Sequence, residues 1–429
     1  MKKILHFKLR WLVYLILRRY RPIIIGVTGS MGKTSAKEAI YTVLRSKIKV
    51  GASQKNYNNE IGVPLSIIGV ESGGRSLWSW LLVFAHAWHL LIFKDKNYPK
   101  ALVLEMGVDR PGDMTYLTKI APPNIGVVTG VSYSHLEYFG SVINIKKEKQ
   151  VLVERLASQG LAVLNYDNEL SQEMSQVSRA RVLTYGLKKG ADLQAQDIVF
   201  NFTKDKYELM GVNFKLNYRG SIVPVFMPQV MTESAIYAAL AAAAVGLQFD
   251  FNLVELSQAL ANFATPKGRM RILPGLKQSF IIDDSYNSSP EAAQLAISVL
   301  DRIKVDASAK KYAVLGDMLE LGPYTEEGHQ LLGTKIAGSS ISYLVTVGER
   351  ARDIIRGAKG AGFNENATAV FGQTTPAGTF LRERIGPGDV ILVKGSQGMR
   401  MEKIIKDIMA EPDKAPELLV RQDSKWLAQ

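Results

Sequence analysis

An α/β architecture built on mainly parallel sheets is expected of this 429-residue chain, because short β-branched runs alternate with helical stretches through both of its halves. The composition fits such a fold: 47% of residues are apolar, 9% aromatic and 22% charged, enough to bury a sizeable core. At roughly 100–200 residues per domain, the length calls for two or three domains. The absence of cysteine excludes disulfides, thiolate zinc sites, iron–sulfur clusters and a cysteine nucleophile, and it suits a reducing compartment such as the cytoplasm.

The first element expected is a basic amphipathic helix within residues 1–22. Lys2, Lys3, Lys8, Arg10, Arg18, Arg19 and Arg21 all precede the first acidic residue, Glu38. The apolar run Trp11–Leu17 is far shorter than the roughly 20 residues of a spanning helix, so an interfacial helix suits it better. Two other readings stay open: a secretory signal, although no small-residue cleavage site follows, and a helix docked on the protein's own surface. A second apolar segment, Leu77–Phe93, carries three tryptophans and two histidines and ends in Lys94-Asp95-Lys96. It barely matches a hydrocarbon core at about 1.5 Å per residue, and Ser79, His86 and His89 weaken a span. A helix at a membrane interface or buried between domains is expected there. His86 and His89 share one helical face at a spacing that suits a metal, but no carboxylate accompanies them, which favours interfacial histidines.

Strands are expected at Ile23–Val27, Ala101–Leu104, Ile125–Val128 and Leu161–Leu164, with helices between them. From Ala191 to Val225 the pattern becomes the alternation of antiparallel strands, and Ser234–Val245 follows as an alanine-rich helix. Ala264-Thr265-Pro266-Lys267-Gly268 is turn-rich, and βα alternation restarts after it at Phe280–Ile282, Tyr312–Leu315, Tyr343–Val347 and Val390–Val393. The expected division is therefore 1–22, then 23–266 with 77–93 as an insertion, then 267–429. No solenoid repeat or biased tract is visible.

The most specific local pattern is Gly26-Val27-Thr28-Gly29-Ser30-Met31-Gly32-Lys33-Thr34-Ser35, directly after a strand and opening a helix. Glycines let successive N–H groups point into one concavity at a helix N-terminus, Lys33 can neutralise β/γ-phosphate charge, and the Thr34 hydroxyl can ligate Mg²⁺. Gly29, Ser30, Met31, Gly32, Lys33, Thr34 and Ser35 are the expected ATP-binding residues, against the plainer reading of a glycine turn joining strand to helix. Glu105 ends one strand and His135 lies a few residues beyond another, at the rim where open α/β sheets bind ligands. A magnesium ligand is the natural role for Glu105; a capping acid and a loop histidine are the alternatives for the pair. The balance of 53 Lys+Arg against 40 Asp+Glu, formally +13, favours anionic partners. Nucleic acid is not expected among them, since the basic patch lies on a helix rich in Trp, Leu and Ile with no reading module.

Taken in order, these motifs resemble the Mur ligases, the ATP-dependent amide-forming enzymes of peptidoglycan synthesis. The resemblance runs from about Ile23 to Ile408 and is carried by the phosphate loop, Asn56-Tyr57-Asn58-Asn59-Glu60, Leu104-Glu105-Met106-Gly107 and Ser134-His135-Leu136-Glu137. Asp283-Asp284-Ser285-Tyr286-Asn287, Gly316-Asp317-Met318-Leu319-Glu320-Leu321-Gly322 and Val393-Lys394-Gly395-Ser396 complete it. It implies a P-loop central ATPase domain followed by a C-terminal Rossmann-like ligase domain. It also implies ATP and two magnesium ions as cofactors, with muramoyl-tripeptide and D-Ala-D-Ala joined through an acyl phosphate. By the same resemblance Lys33 is catalytic, and Thr34, Glu105, His135 and a carbamylated Lys149 hold the metal. Arg269 would reach the ATP phosphates on domain closure, Asp283 and Asn287 would lie near the ribose and base, and Asn58 and Asn59 would touch substrate. Lys149 read alone is a solvated lysine in a charged stretch, and His329 a packing residue of a helix.

Two departures from the family bear on function. The amino-terminal domain that grips the UDP-sugar is not seen ahead of Gly26, and the basic helix with the 77–93 insertion stands instead, which suggests work at the inner face of a membrane, on a UDP- or lipid-linked donor. Where the family shows His-x-x-x-Asn before the alanine-rich helix, this chain has Val230 and Ser234. A folylpolyglutamate or poly-glutamate synthase would share the loop, and a non-catalytic membrane scaffold is the reading from another class.

Overall fold

The computed structural model describes residues 2–53, 57–74, 76–132, 136–201, 210–423 and 426. The chain forms two compact units, one of residues 1–199, 213–227 and 233–263, the other of residues 200–212, 228–232 and 264–429.

The first unit begins with α1 (Lys2–Tyr20), β1 (Ile23–Thr28), α2 (Lys33–Arg45), β2 (Val50–Ala52), α3 (Gly62–Ile68) and α4 (Leu77–Ile92). It continues through β3 (Ala101–Glu105), α5 (Asp113–Ile120), β4 (Ile125–Val128), α6 (Leu136–Phe139), α7 (Val142–Glu154), β5 (Leu161–Asn165) and α8 (Glu169–Gln172). Then come β6 (Arg181–Gly186), β7 (Leu193–Asn201), β8 (Gly211–Tyr218), β9 (Ser221–Pro228), α9 (Glu233–Leu247) and α10 (Leu253–Leu260). The strands form one sheet in the order β2-β3-β1-β4-β5-β6-β7-β8-β9. Its first part is parallel, with Val27 opposite Glu105 and Ile25 opposite Ile125. Because β1 lies between β3 and β4, the chain leaves it toward opposite sides, and the crevice at its C-terminal end is where such sheets place ligands. Near-continuous Ile, Val and Leu in β1, β3, β4 and β5 reflect burial on both faces. Pairing becomes a hairpin at β8 and β9, joined through Arg219 and Gly220, both with positive φ. The alternation read as antiparallel begins later than expected, for β7 still joins β6 in parallel at Tyr185 and Leu193.

Of the readings open for the first helix, the structure shows α1 packed on its own unit. Leu9, Leu12, Val13 and Ile16 are buried in one cluster with Ile24, Leu65, Leu90 and Leu104. Phe7, Trp11 and Tyr14 point the other way, into solvent. α4 is capped by Ser76, whose hydroxyl accepts from the Ser79 N–H, and it buries only Val83, Ala87 and Leu90. Among the described residues, no helix is long and apolar enough to cross a membrane.

The second unit contains β10 (Arg271–Pro274), β11 (Phe280–Asp284), α11 (Pro290–Arg302), β12 (Lys311–Gly316), α12 (Thr325–Ala337), β13 (Tyr343–Val347) and α13 (Arg352–Gly360). It ends with β14 (Thr368–Phe371), α14 (Thr374–Arg384), β15 (Val390–Lys394), α15 (Glu402–Ile408) and α16 (Ala415–Leu418). Strand order is β10-β11-β15-β12-β13-β14, parallel except for the β10–β11 pair. Two apolar clusters line its faces, one around Ile297, Leu332 and Ile354, the other around Leu381, Ile404 and Ile408.

Candidate active site

The phosphate loop turns where β1 gives way to α2. Gly29 has φ 148° and Gly32 φ 78°, and a Cβ on Gly29 would strike the Thr129 hydroxyl, so both positions require glycine. No side chain caps α2, so its first-turn N–H groups face the loop, a cradle suited to an anion. The amine of Lys33 donates to the carbonyls of Gly29 at 2.8 Å and Ser30 at 3.3 Å. Met31 is partly exposed at the loop tip, and Ser35 sits half-buried in the first turn of α2.

Thr34 and Glu105 meet across the crevice. The Thr34 hydroxyl donates to Glu105 Oε2 at 3.0 Å, and the Asn58 amide donates to Oε1 at 3.3 Å. The Glu105 N–H donates to Ser53 Oγ, and the Ser53 carbonyl accepts from Lys37, an almost wholly buried amine that also pairs with Glu38 at 2.8 Å. Among the described residues no three potential His, Cys, Asp or Glu ligands cluster. A hydroxyl and one carboxylate nevertheless fit Mg²⁺, which takes few protein ligands and completes its shell with waters and phosphate oxygens.

Lys149, on α7, is only 2% exposed and donates to the Gly29 carbonyl at 3.2 Å. Burial, with the nearby charge of Lys33 second, lowers its pKa to about 7. Its neighbour Glu148 accepts from the N–H groups of Gly112 at 2.9 Å and Met114 at 2.7 Å, which fixes α7 against the start of α5 and so places Lys149. The solvated-lysine reading therefore fails. His135 lies outside the described residues. The Asn59 side-chain oxygen accepts from the Ile61 and Gly62 N–H groups and so shapes the start of α3.

Besides Ser30 of the phosphate loop, three residues that build this rim, Thr129, Ser132 and Asn168, carry no motif. Thr129 donates to the Met31 carbonyl at 2.5 Å, Ser30 and the Ser132 backbone bond to each other, and both polar atoms of the Asn168 side chain bond to the Val131 backbone. Asn168 also caps α8 through the Ser171 N–H. Only their turn-forming chemistry could have hinted at them.

In the second unit the quoted motifs gather at the C-terminal ends of β11, β12 and β15. Asp284 pairs with Lys394 at 2.6 Å, and the Asn287 carbonyl accepts from the same amine at 2.9 Å. Asp283 is wholly buried and accepts from the Gly268 N–H and from the Ser285 N–H and hydroxyl. Desolvation pushes its pKa up to about 6, against those hydrogen bonds. Its carboxylate thus ties the 264–268 turn to β11. The Arg269 guanidinium lies over the Tyr286 ring at 4.3 Å. Arg421, which carries no sequence signal, donates to Glu402 and to the Ser285 and Tyr286 carbonyls. His329 is buried, accepts from the Met318 N–H and meets the Thr325 carbonyl, so it holds the Gly316–Gly322 loop, which agrees with its packing reading. Val230 is buried and Ser234 exposed where the family has its His and Asn.

A glycine cradle at a helix N-terminus, backed by a hydroxyl, a carboxylate and a buried amine, defines a nucleotide-triphosphate-binding enzyme of the P-loop kind. The sequence pattern of the Mur ligase middle domain matches residues 27–76 and 87–246, and that of the Mur ligase glutamate ligase domain matches residues 268–397. The chain belongs to the Mur ligase family. It is 30% identical over 407 residues to a UDP-N-acetylmuramoyl-tripeptide–D-alanyl-D-alanine ligase of Mycobacterium tuberculosis, covering 90% of this chain and 73% of that one. The ligase of the same name from Bacillus subtilis is 27% identical over 389 residues, covering 91% of this chain and 76% of that one. Among solved structures, the MurF ligase of Thermotoga maritima in complex with ADP has TM-score 0.74 and 26% identity, covering 95% of this chain and 84% of that one. MurF from Acinetobacter baumannii, at 23% identity and TM-score 0.76, covers 94% of this chain and 80% of its own and supports the fold.

Proposed function

We propose that this protein is an ATP-dependent, ADP-forming ligase that adds D-Ala-D-Ala to a muramoyl-tripeptide in peptidoglycan precursor synthesis. The observation that carries this reading is the Thr34–Glu105–Asn58 constellation beside Lys33 and Lys149, in a chain whose relatives bear that activity in their names. A tripeptide carboxylate oxygen takes the γ-phosphoryl group and ADP leaves; the D-Ala-D-Ala amine then attacks the acyl carbon and phosphate leaves. Lys33 and the α2 N-terminus offset charge on the transferring phosphoryl group. Thr34 and Glu105 would hold one Mg²⁺, with His135 and Lys149 serving a second. Bound there, the metal neutralises phosphate and acyl-phosphate oxygens.

A lysine with a lowered pKa presents the neutral amine that CO₂ needs to form a carbamate, and Lys149 is suited to carbamylation for that reason. Arg269 and Asn287 are offered as nucleotide contacts by resemblance. The use of ATP supports a cytoplasmic enzyme, and the basic and exposed aromatic residues of α1 and α4 support peripheral contact with the inner face of the membrane. The test is phosphate release from ATP and Mg²⁺ with D-Ala-D-Ala, comparing UDP-linked with lipid-linked muramoyl-tripeptide. Turnover with either supports the assignment, and none with both moves it to another amide ligase.

A further inference from the structure

The helices α1 and α4 leave an apolar face that the nucleotide-binding fold does not require. On α1, Phe7, Trp11, Tyr14 and Arg18 recur at the spacing of one helical stripe, opposite the buried Leu9, Leu12, Val13 and Ile16. Phe7 is 71% exposed and Tyr14 58%. On α4 the exposed side presents Leu77 (82%), Trp78 (70%) and Leu81 (59%). The two stripes join where the Trp11 and Trp88 rings meet edge to face, 5.8 Å apart, and where Tyr20 donates to the Leu90 carbonyl at 2.9 Å. The middle-domain pattern does not match residues 77–86, the first part of α4. A patch of this extent on a folded chain marks a binding surface.

The chemistry around the patch selects its occupant. Exposed cations border the aromatic stripe of α1 on both sides, with Lys8 on one and Arg10 on the other, and Arg18, Arg19 and Arg21 follow at its end. Exposed Lys94 and Lys96 follow α4. From Lys2 to Lys37 the chain has no acidic residue. Trp and Tyr between cations match the headgroup level of a bilayer, and the positive rim matches anionic lipid. Neither helix is suited to cross the bilayer.

We infer that the joined α1–α4 face is the docking surface by which the folded enzyme seats on an anionic membrane. It rests on the peripheral-membrane reading above, but not on which amide the enzyme forms. The test is flotation of the full-length chain with phosphatidylcholine vesicles with and without phosphatidylglycerol. The expected result is capture by the anionic vesicles only, weakened by salt. Trp78→Glu with Leu81→Glu should abolish capture at unchanged Tm and unchanged turnover of a soluble substrate. Lys8→Glu with Arg18→Glu should lower partitioning by about fivefold or more for each cation removed. The proposal is overturned if the folded chain stays behind with anionic vesicles, or if the Trp78/Leu81 variant floats like the parent. A stable dimer dispersed by the same two substitutions, with no lipid binding, would assign the face to a second copy and equally overturn it. Loss of ligation with flotation intact would count against the enzymatic reading alone.

Discussion

Lys149 shows how burial turns an ordinary side chain into a chemical one. Its pKa lies near 7 rather than 10.5, so between those values the unfolded chain binds a proton that the folded chain has released. Stability contributed by this residue therefore rises with pH across that window, and the charged amine costs most below about pH 7. In CO₂-depleted buffer Lys149→Met should raise Tm at pH 6 and leave it nearly unchanged above pH 10.5; an equal gain at both would show that the amine is not desolvated. Lys149→Ala should cut ligation by about a hundredfold or more, with part of the rate restored by added short-chain carboxylates if an anionic ligand is what was lost. Asp283→Ala should destabilise the second unit by about 1–3 kcal/mol for each donor it strands, read as a lower denaturation midpoint, whereas Asp283→Asn should keep most of that stability. Lys33, Thr34 and Glu105 were readable because loop spacing and strand ends dictate where such residues point. Lys37, Thr129 and Asn168 were not, since their roles depend on carbonyls brought near from distant parts of the chain.

At the level of elements, apolar runs located eight of the parallel strands to within a residue or two, because a strand buried on both faces has to be continuously apolar, whereas the part-exposed β2, β6 and β14 carried no such run and were missed. The antiparallel stretch was read too early, since parallel and antiparallel strands of that length share the same alternation. Whether α1 packs inward could not be read from its own sequence, because Trp and Leu serve a core and a lipid surface equally well. The structure settles this through Leu12, Val13 and Ile16, and Ile16→Ala should cost about 2–5 kcal/mol in chemical denaturation. Helices α12 and α13 touch at backbone distance: a Cβ on Gly333 would meet the Ile354 carbonyl, and one on Gly357 the Gln330 carbonyl. Gly333→Ala should therefore destabilise the second unit by about 1–3 kcal/mol, although alanine is the better helix former. A neutral or stabilising result would mean the helices can separate freely.

For the whole molecule, both units are α/β sheets whose motif-bearing loops lie at strand C-terminal ends, and that arrangement was visible in the order of motifs along the chain. Catalysis and membrane seating are assigned to different surfaces of the first unit, so they should separate experimentally. Thr34→Ala should lose about a hundredfold or more in ATP-dependent ligation while its vesicle binding stays at the parent level.

The two-sided character of α1 also bears on how the protein is prepared. Clipping a greasy leading helix is a common way to improve the behaviour of a recombinant enzyme. Here residues 2–20 supply Leu9, Leu12, Val13 and Ile16 to the interior, so a clipped chain should collect in inclusion bodies instead of gaining solubility. Repainting the outward side, at Trp78 and Leu81, is the route to a well-behaved preparation with its interior complete.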